Sequence, residues 1–120
     1  VWYNAIWDKY DSETRQYTQN ASDFNDALAN LFSDSDFSSD INSIKSSKDT
    51  VQQYMSTLQS PPAEWENAYN ALGDAYDAYL EIVNIVTSPN GSLQTFSSSF
   101  NDADTKAATT LEKALGYVKD

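Results

Sequence analysis

Between Ser60 and Ser92 the large apolar side chains recur at alternating steps of four and three: Trp65, Tyr69, Leu72, Tyr76, Tyr79, Val83 and Val86. That spacing puts them on one stripe of a helix, a period that strands do not produce. Leu80 and Ile82 widen the stripe on either side, as expected for a helix that touches several neighbours. Ser60 is placed to cap the helix, and Pro61 falls where a missing N–H costs nothing. Glu64 and Glu66 lie near the positive end of its dipole. At the far end Ser88-Pro89-Asn90-Gly91 reads as a turn.

Three more stripes flank this one. Tyr3, Trp7, Tyr10, Thr14, Tyr17, Ala21, Phe24, Leu28 and Leu31 hold the same register without a slip, which predicts one long helix from Trp2 to Phe32. Its weak point is Thr18 to Asp23, rich in poor helix formers, where a kink or short break is admissible. Phe37, Ile41, Ile44, Val51, Met55 and Leu58 form a poorer stripe after the capping run Ser33-Asp34-Ser35-Asp36, and this helix should be the loosest. Leu93, Phe96, Phe100, Ala103, Ala107, Leu111, Ala114 and Val118 form the last, its alanines allowing a close neighbour. Short connections make consecutive helices antiparallel. The expected fold is all-α: a single domain over residues 1–120, an up-down-up-down antiparallel four-helix bundle, with a three-helix bundle and a broken first helix as the alternative. Trp7, Phe24, Leu28, Leu72, Tyr76, Val83, Phe96, Phe100 and Leu111 are the expected core, and Gly73 in mid-helix predicts a close helix approach.

Charge and residue usage narrow the function. With 18 acidic and seven basic residues the formal charge is −11, a field that repels nucleic acid and anionic membranes. No apolar run approaches the length of a membrane span. The sequence contains neither Cys nor His, which excludes Ser–His and Cys–His catalysis, a di-iron carboxylate site and any disulfide. Met55 and the tyrosines fall at helical spacing, which packing explains better than haem ligation. No cofactor, metal or catalytic residue is assigned. The abundance of Ser, Thr, Asn and Gln beside few Lys and Arg suits an exported protein, and the opening on Val1 suggests a mature or trimmed chain.

Two groups of residues remain as candidate sites. Trp2, Trp7, Trp65 and Tyr117 would meet at one end of an antiparallel bundle, as a patch for a sugar ring or peptide or as a plug closing the core. Asp74, Asp77 and Glu81 share one face of the central helix, whose stretch from Pro61 to Gly91 carries five acids and no base. Calcium would need a wrapping loop of oxygen ligands that the sequence does not supply, so these acids read as a solvated outward strip.

Trp2-Tyr3-Asn4-Ala5-Ile6, Phe24-Asn25-Asp26-Ala27-Leu28, Pro61-Pro62, Tyr76-Asp77-Ala78-Tyr79-Leu80 and Gly91-Ser92-Leu93-Gln94-Thr95-Phe96 resemble segments of small helical proteins exported by Gram-positive bacteria, many of them predicted lipoproteins. The resemblance spans nearly the whole chain, but its motifs are structural and carry no catalytic or binding residues over. It implies export and a lipid anchor on a cysteine upstream of Val1. A match to the WxG secretion proteins fails, because Trp65 is followed by Glu66-Asn67 without the loop glycine. The expectation is a non-enzymatic extracytoplasmic bundle, an interaction module for a protein partner or a spacer at the cell surface. The alternative is a small-molecule or glycan binder using the aromatic end.

Overall fold

The computed structural model describes residues 15–118, and the protein is all-α over that span. Helix α1 covers Arg15–Thr18, α2 Phe24–Ser33, α3 Ser35–Thr57, α4 Glu66–Thr87 and α5 Leu93–Gly116, with a three-residue 3-10 turn at Ala63–Trp65 before α4.

The closest packing is between α4 and α5, and alanine makes it. Ala71, Ala75 and Ala78 recur on one face of α4 and are buried, Ala78 completely at 0% exposure. From α5 come Ala103 at 1% exposure and Ala114, which clusters with Ala71 and Ala75. Small side chains let helix axes approach toward the lower end of the usual 8–10 Å. Glu81 meets Lys106, whereas Ala75, earlier on α4, meets Ala114, later on α5, so the two helices run antiparallel. Gly91, at φ +87°, turns the chain between them, and a Cβ there would lie 2.7 Å from Thr95 Oγ1. Ser92 and Thr95 then close a reciprocal capping box on α5.

Four expectations are corrected. The central helix does not begin at Ser60: Ser60 sits at φ +59°, Pro62 is extended, and α4 starts at Glu66 without a side-chain cap. Two consecutive prolines explain this, since each drives the preceding residue out of the helical region. Gly73 has no neighbour within 4 Å of where a Cβ would be; close approach occurs instead at the alanines. Leu111 is 50% exposed rather than core. Phe24, Leu72, Tyr76 and Phe100 are half-buried, while Leu28, Val83 and Phe96 are buried as expected and Trp7 lies outside the described residues.

The fourth correction is the first helix. The Asn30 side-chain amide donates to the Tyr17 carbonyl at 3.0 Å. In one continuous helix these residues would be about 20 Å apart, so the chain reverses through residues 19–23 rather than kinking there. The local chemistry favours the reversal. Asp23 accepts the Asp26 N–H as the N-cap of α2, and the Asp26 carboxylate accepts both the N–H and the hydroxyl of Ser22. These bonds compete with helix continuation. The Ser22 donors hold the Asp26 carboxyl below its usual range, so their contribution is complete at neutral pH and is lost as pH falls through the lowered value. On the other side of the hairpin the Tyr17 hydroxyl bonds the Asp34 carboxylate, and burial followed by that carboxylate raises the Tyr17 pKa.

Helix α2 bridges the starts of α3 and α5. Phe32 meets Phe37 edge-on at 5.1 Å, and Phe24 lies 6.0 Å from Phe96, which stacks with Phe100 at 6.2 Å. As the sequence suggests, α3 is the most weakly packed of the long helices, with Ile41 its one buried residue.

Two substitutions test the alanine seam. Gly73→Ala has room and should stabilise the protein by about 0.4–1 kcal/mol, whereas Ala78→Leu should destabilise it by about 1–3 kcal/mol. Urea unfolding followed by circular dichroism measures both, and a seam placed elsewhere would make Ala78→Leu neutral. Ser60→Gly relieves a left-handed backbone and should raise stability by up to about 1 kcal/mol in the same assay.

Candidate functional site: an apolar groove over the central helix

Helices α3 and α5 flank α4 on two sides and leave its aromatic stripe uncovered between them. Two hollows meet at Leu72 and Leu111 to form one groove. The first, about 460 Å³, lies against the Ser60–Trp65 turn, floored by Tyr69 and Leu72 and walled by Leu58, Leu115 and Val118. The second, about 430 Å³, runs on over Tyr76, Tyr79 and Ile82 between Val51 and Met55 of α3 and Ala107 of α5. From Tyr69 to Ile82 the floor is about 20 Å long. The groove accounts for the half-burial of Leu72 and Tyr76 and the exposure of Leu111: they face the groove, which no described residue fills.

The groove is apolar nearly throughout. Among the described residues Asp104 is the one carboxylate lining its second part. Tyr79 at the floor has its hydroxyl pKa raised by burial, first of all, and by the neighbouring Tyr76. Trp65, 49% exposed, and Leu58, Leu115 and Val118 present an apolar rim at the turn end. Among the described residues that line it, no polar groups converge in the way that positions a reacting substrate.

Of the predicted aromatic patch, Trp65 lines the groove and Tyr117 is exposed at the end of α5, outside its lining. Trp2 and Trp7 lie outside the described residues. The fold also bears on how that patch would assemble: the α1–α2 reversal places Tyr17 beside Asn30 and Asp34, at the end of α3 remote from Trp65.

Asp74, Asp77 and Glu81 are all exposed. On the helix they lie roughly 160° around from Leu72, Tyr76 and Tyr79, so the acidic strip and the groove occupy opposite sides of α4. Lys106 of α5 meets Glu81 at 3.1 Å across the seam. Among the described residues no group of three or more acids is close enough to hold a metal ion. Among them, too, no helix is long and apolar enough to cross a membrane.

The stripe spacing marks Leu72 and Tyr76 as core, whereas both line the groove. The missed signal is the alanine stripe one position away, at Ala71, Ala75 and Ala78, which hydrophobicity ranks low and geometry ranks first. No family model, curated protein or solved structure matches this chain.

Replacing Asp74, Asp77 and Glu81 together by Asn, Asn and Gln removes three repelling charges and one exposed ion pair. The fold should persist, with a small gain in melting temperature at low salt that shrinks as salt is added. A large loss of stability would show that the strip holds a cation.

Proposed function

We propose that the protein is a non-enzymatic interaction module whose groove receives an amphipathic helix of a partner protein, in an extracytoplasmic setting. The observation that carries the reading is the long apolar channel over Leu72, Tyr76 and Tyr79, with Leu111 half-exposed at its wall. In bundle terms the groove is the seat of a fourth helix between α3 and α5, which is where an up-down-up-down arrangement would place one. Helix-in-groove docking uses anchors at i, i+3, i+4 and i+7, and the floor length suits about four helical turns. The charge of −11 favours a partner whose polar face is basic. Export is supported by the surface composition and by the resemblance to exported helical proteins, and the lack of Cys and His supports a binding rather than a catalytic role.

The groove volume also falls within the roughly 300–1,000 Å³ of small-molecule sites. That favours an apolar ligand as a second reading over a glycan, which needs polar partners beside an aromatic platform.

The test is binding of an amphipathic peptide of about 18 residues, leucine at the a and d positions and lysine elsewhere, measured by calorimetry. Leu111→Asp should weaken binding by about tenfold or more. The sign is decisive, because an added negative charge would strengthen any merely electrostatic attachment of a basic peptide. Unchanged or tighter binding by Leu111→Asp defeats the docking reading.

A further inference from the structure

The turn between α4 and α5 sets Asn90 and Gly91 side by side outside any helix. Both are exposed, and Asn90 borders a hollow of about 370 Å³ shared with Asn84, Ser88 and Thr95, which gives water access to its side chain. The N–H groups on either side of the pair are held. Ser88 donates to the Asn84 carbonyl at 3.0 Å, and Ser92 donates to Thr95 Oγ1 at 3.0 Å. Among the described residues the Gly91 N–H and the Asn90 side-chain amide have no such partner. The Gly91 nitrogen can reach the Asn90 Cγ by closing a five-membered ring, which sets a nucleophile beside an electrophile.

The residue that follows an asparagine decides how readily this ring closes. Glycine has no Cβ to screen its nitrogen, and it lets the backbone take the conformation that closure needs. Gly91 already stands at φ +87°. The other described asparagines are placed less favourably. All but Asn20 lie within α2 to α5, where the helical backbone holds the next nitrogen away from the side chain. Asn20 lies outside a helix but precedes Ala21, whose Cβ crowds the nitrogen. Sequence and backbone thus single out the same asparagine.

We propose that Asn90 is a site of spontaneous self-modification, at which the Gly91 nitrogen displaces the side-chain amide and water then opens the ring to aspartate or isoaspartate. In the first step the Gly91 nitrogen gives its proton to hydroxide and bonds to the Asn90 Cγ. The Cγ–Nδ2 bond breaks, and ammonia leaves with a proton from water, so a neutral succinimide remains. In the second step water adds to either imide carbonyl. Breaking the new Cγ–N bond gives aspartate, and breaking the original peptide bond gives isoaspartate, whose main chain runs through the side-chain carbon. Either product adds one negative charge to the −11 of the chain. The positive end of α5, which begins at Leu93, tolerates that charge. Isoaspartate also lengthens the main chain by about 1.5 Å in the connection that sets the register of the alanine seam, and so loosens it. This site is independent of what the groove receives.

The test is incubation of the full chain in mildly alkaline buffer, with the products mapped by peptide mass spectrometry. Acid should form at Asn90 at least about tenfold faster than at Asn20, and both aspartate and isoaspartate should be present there. Equal rates at the two sites, faster conversion at a helical asparagine, or no conversion at Asn90 overturns the proposal. Aspartate without isoaspartate overturns it too, because water would then have attacked the amide directly and Gly91 would take no part. Gly91→Ala is a poor control, since a Cβ there meets Thr95 Oγ1 at 2.7 Å. Freshly prepared Asn90→Asp carries the charge without the longer main chain. Converted protein enriched in isoaspartate should melt below Asn90→Asp, and equal melting temperatures would show that the seam does not feel the change.

Discussion

The structure depends on how closely α4 and α5 approach along their alanines. Burying an alanine yields little transfer free energy compared with leucine or tyrosine, yet a seam of them lets two backbones come near and brings dispersion contacts along the whole length. Once that face of α4 is committed to α5, the larger side chains at the next position around the helix cannot share it. Leu72, Tyr76 and Tyr79 are turned aside into the space between α3 and α5, and the acids Asp74, Asp77 and Glu81 onto the back. One helix therefore carries three faces with three fates, set by a single packing choice. The groove is a consequence of the seam.

The second constraint is local. Around residues 19–23 short polar side chains satisfy backbone donors that a helix would otherwise use, with Asp23 on Asp26 and Asp26 on Ser22. Such bonds form without any tertiary help and need few residues to be ordered. They compete with a helical register that is rewarded only if the whole first segment packs against distant neighbours. In the structure the short-range bonds prevail, and the chain folds back.

The acidic strip and the groove face opposite ways, which keeps charge and exposed apolar surface on separate sides of α4. The back of α4 carries the solvated carboxylates, while the apolar channel lies on the other side. Lys106 of α5 reaches Glu81 across the seam, so the edge of the strip also marks the register of the two helices.

The sequence by itself determined that the chain is helical and where most helices stop. Heptad stripes, the capping run at Asp34 and the turn at Ser88–Gly91 are all local signals, readable because a helix is held by bonds within a few residues. It also marked the outward placing of Asp74, Asp77 and Glu81 and the weakness of α3, both of which follow from periodicity and composition. Tertiary structure decided which stripe became the core. Ala71, Ala75 and Ala78 outrank Leu72, Tyr76 and Tyr79 because the distance between helix axes depends on both partners, and no single stripe records it. It decided too that residues 19–23 reverse rather than kink, since the bond from Asn30 to Tyr17 joins residues whose separation in the chain hides their contact. Leu111 shows the limit most plainly: its position on an apolar stripe was legible, but its exposure depends on whether a fourth helix lies over it, and that is a property of the assembly in space.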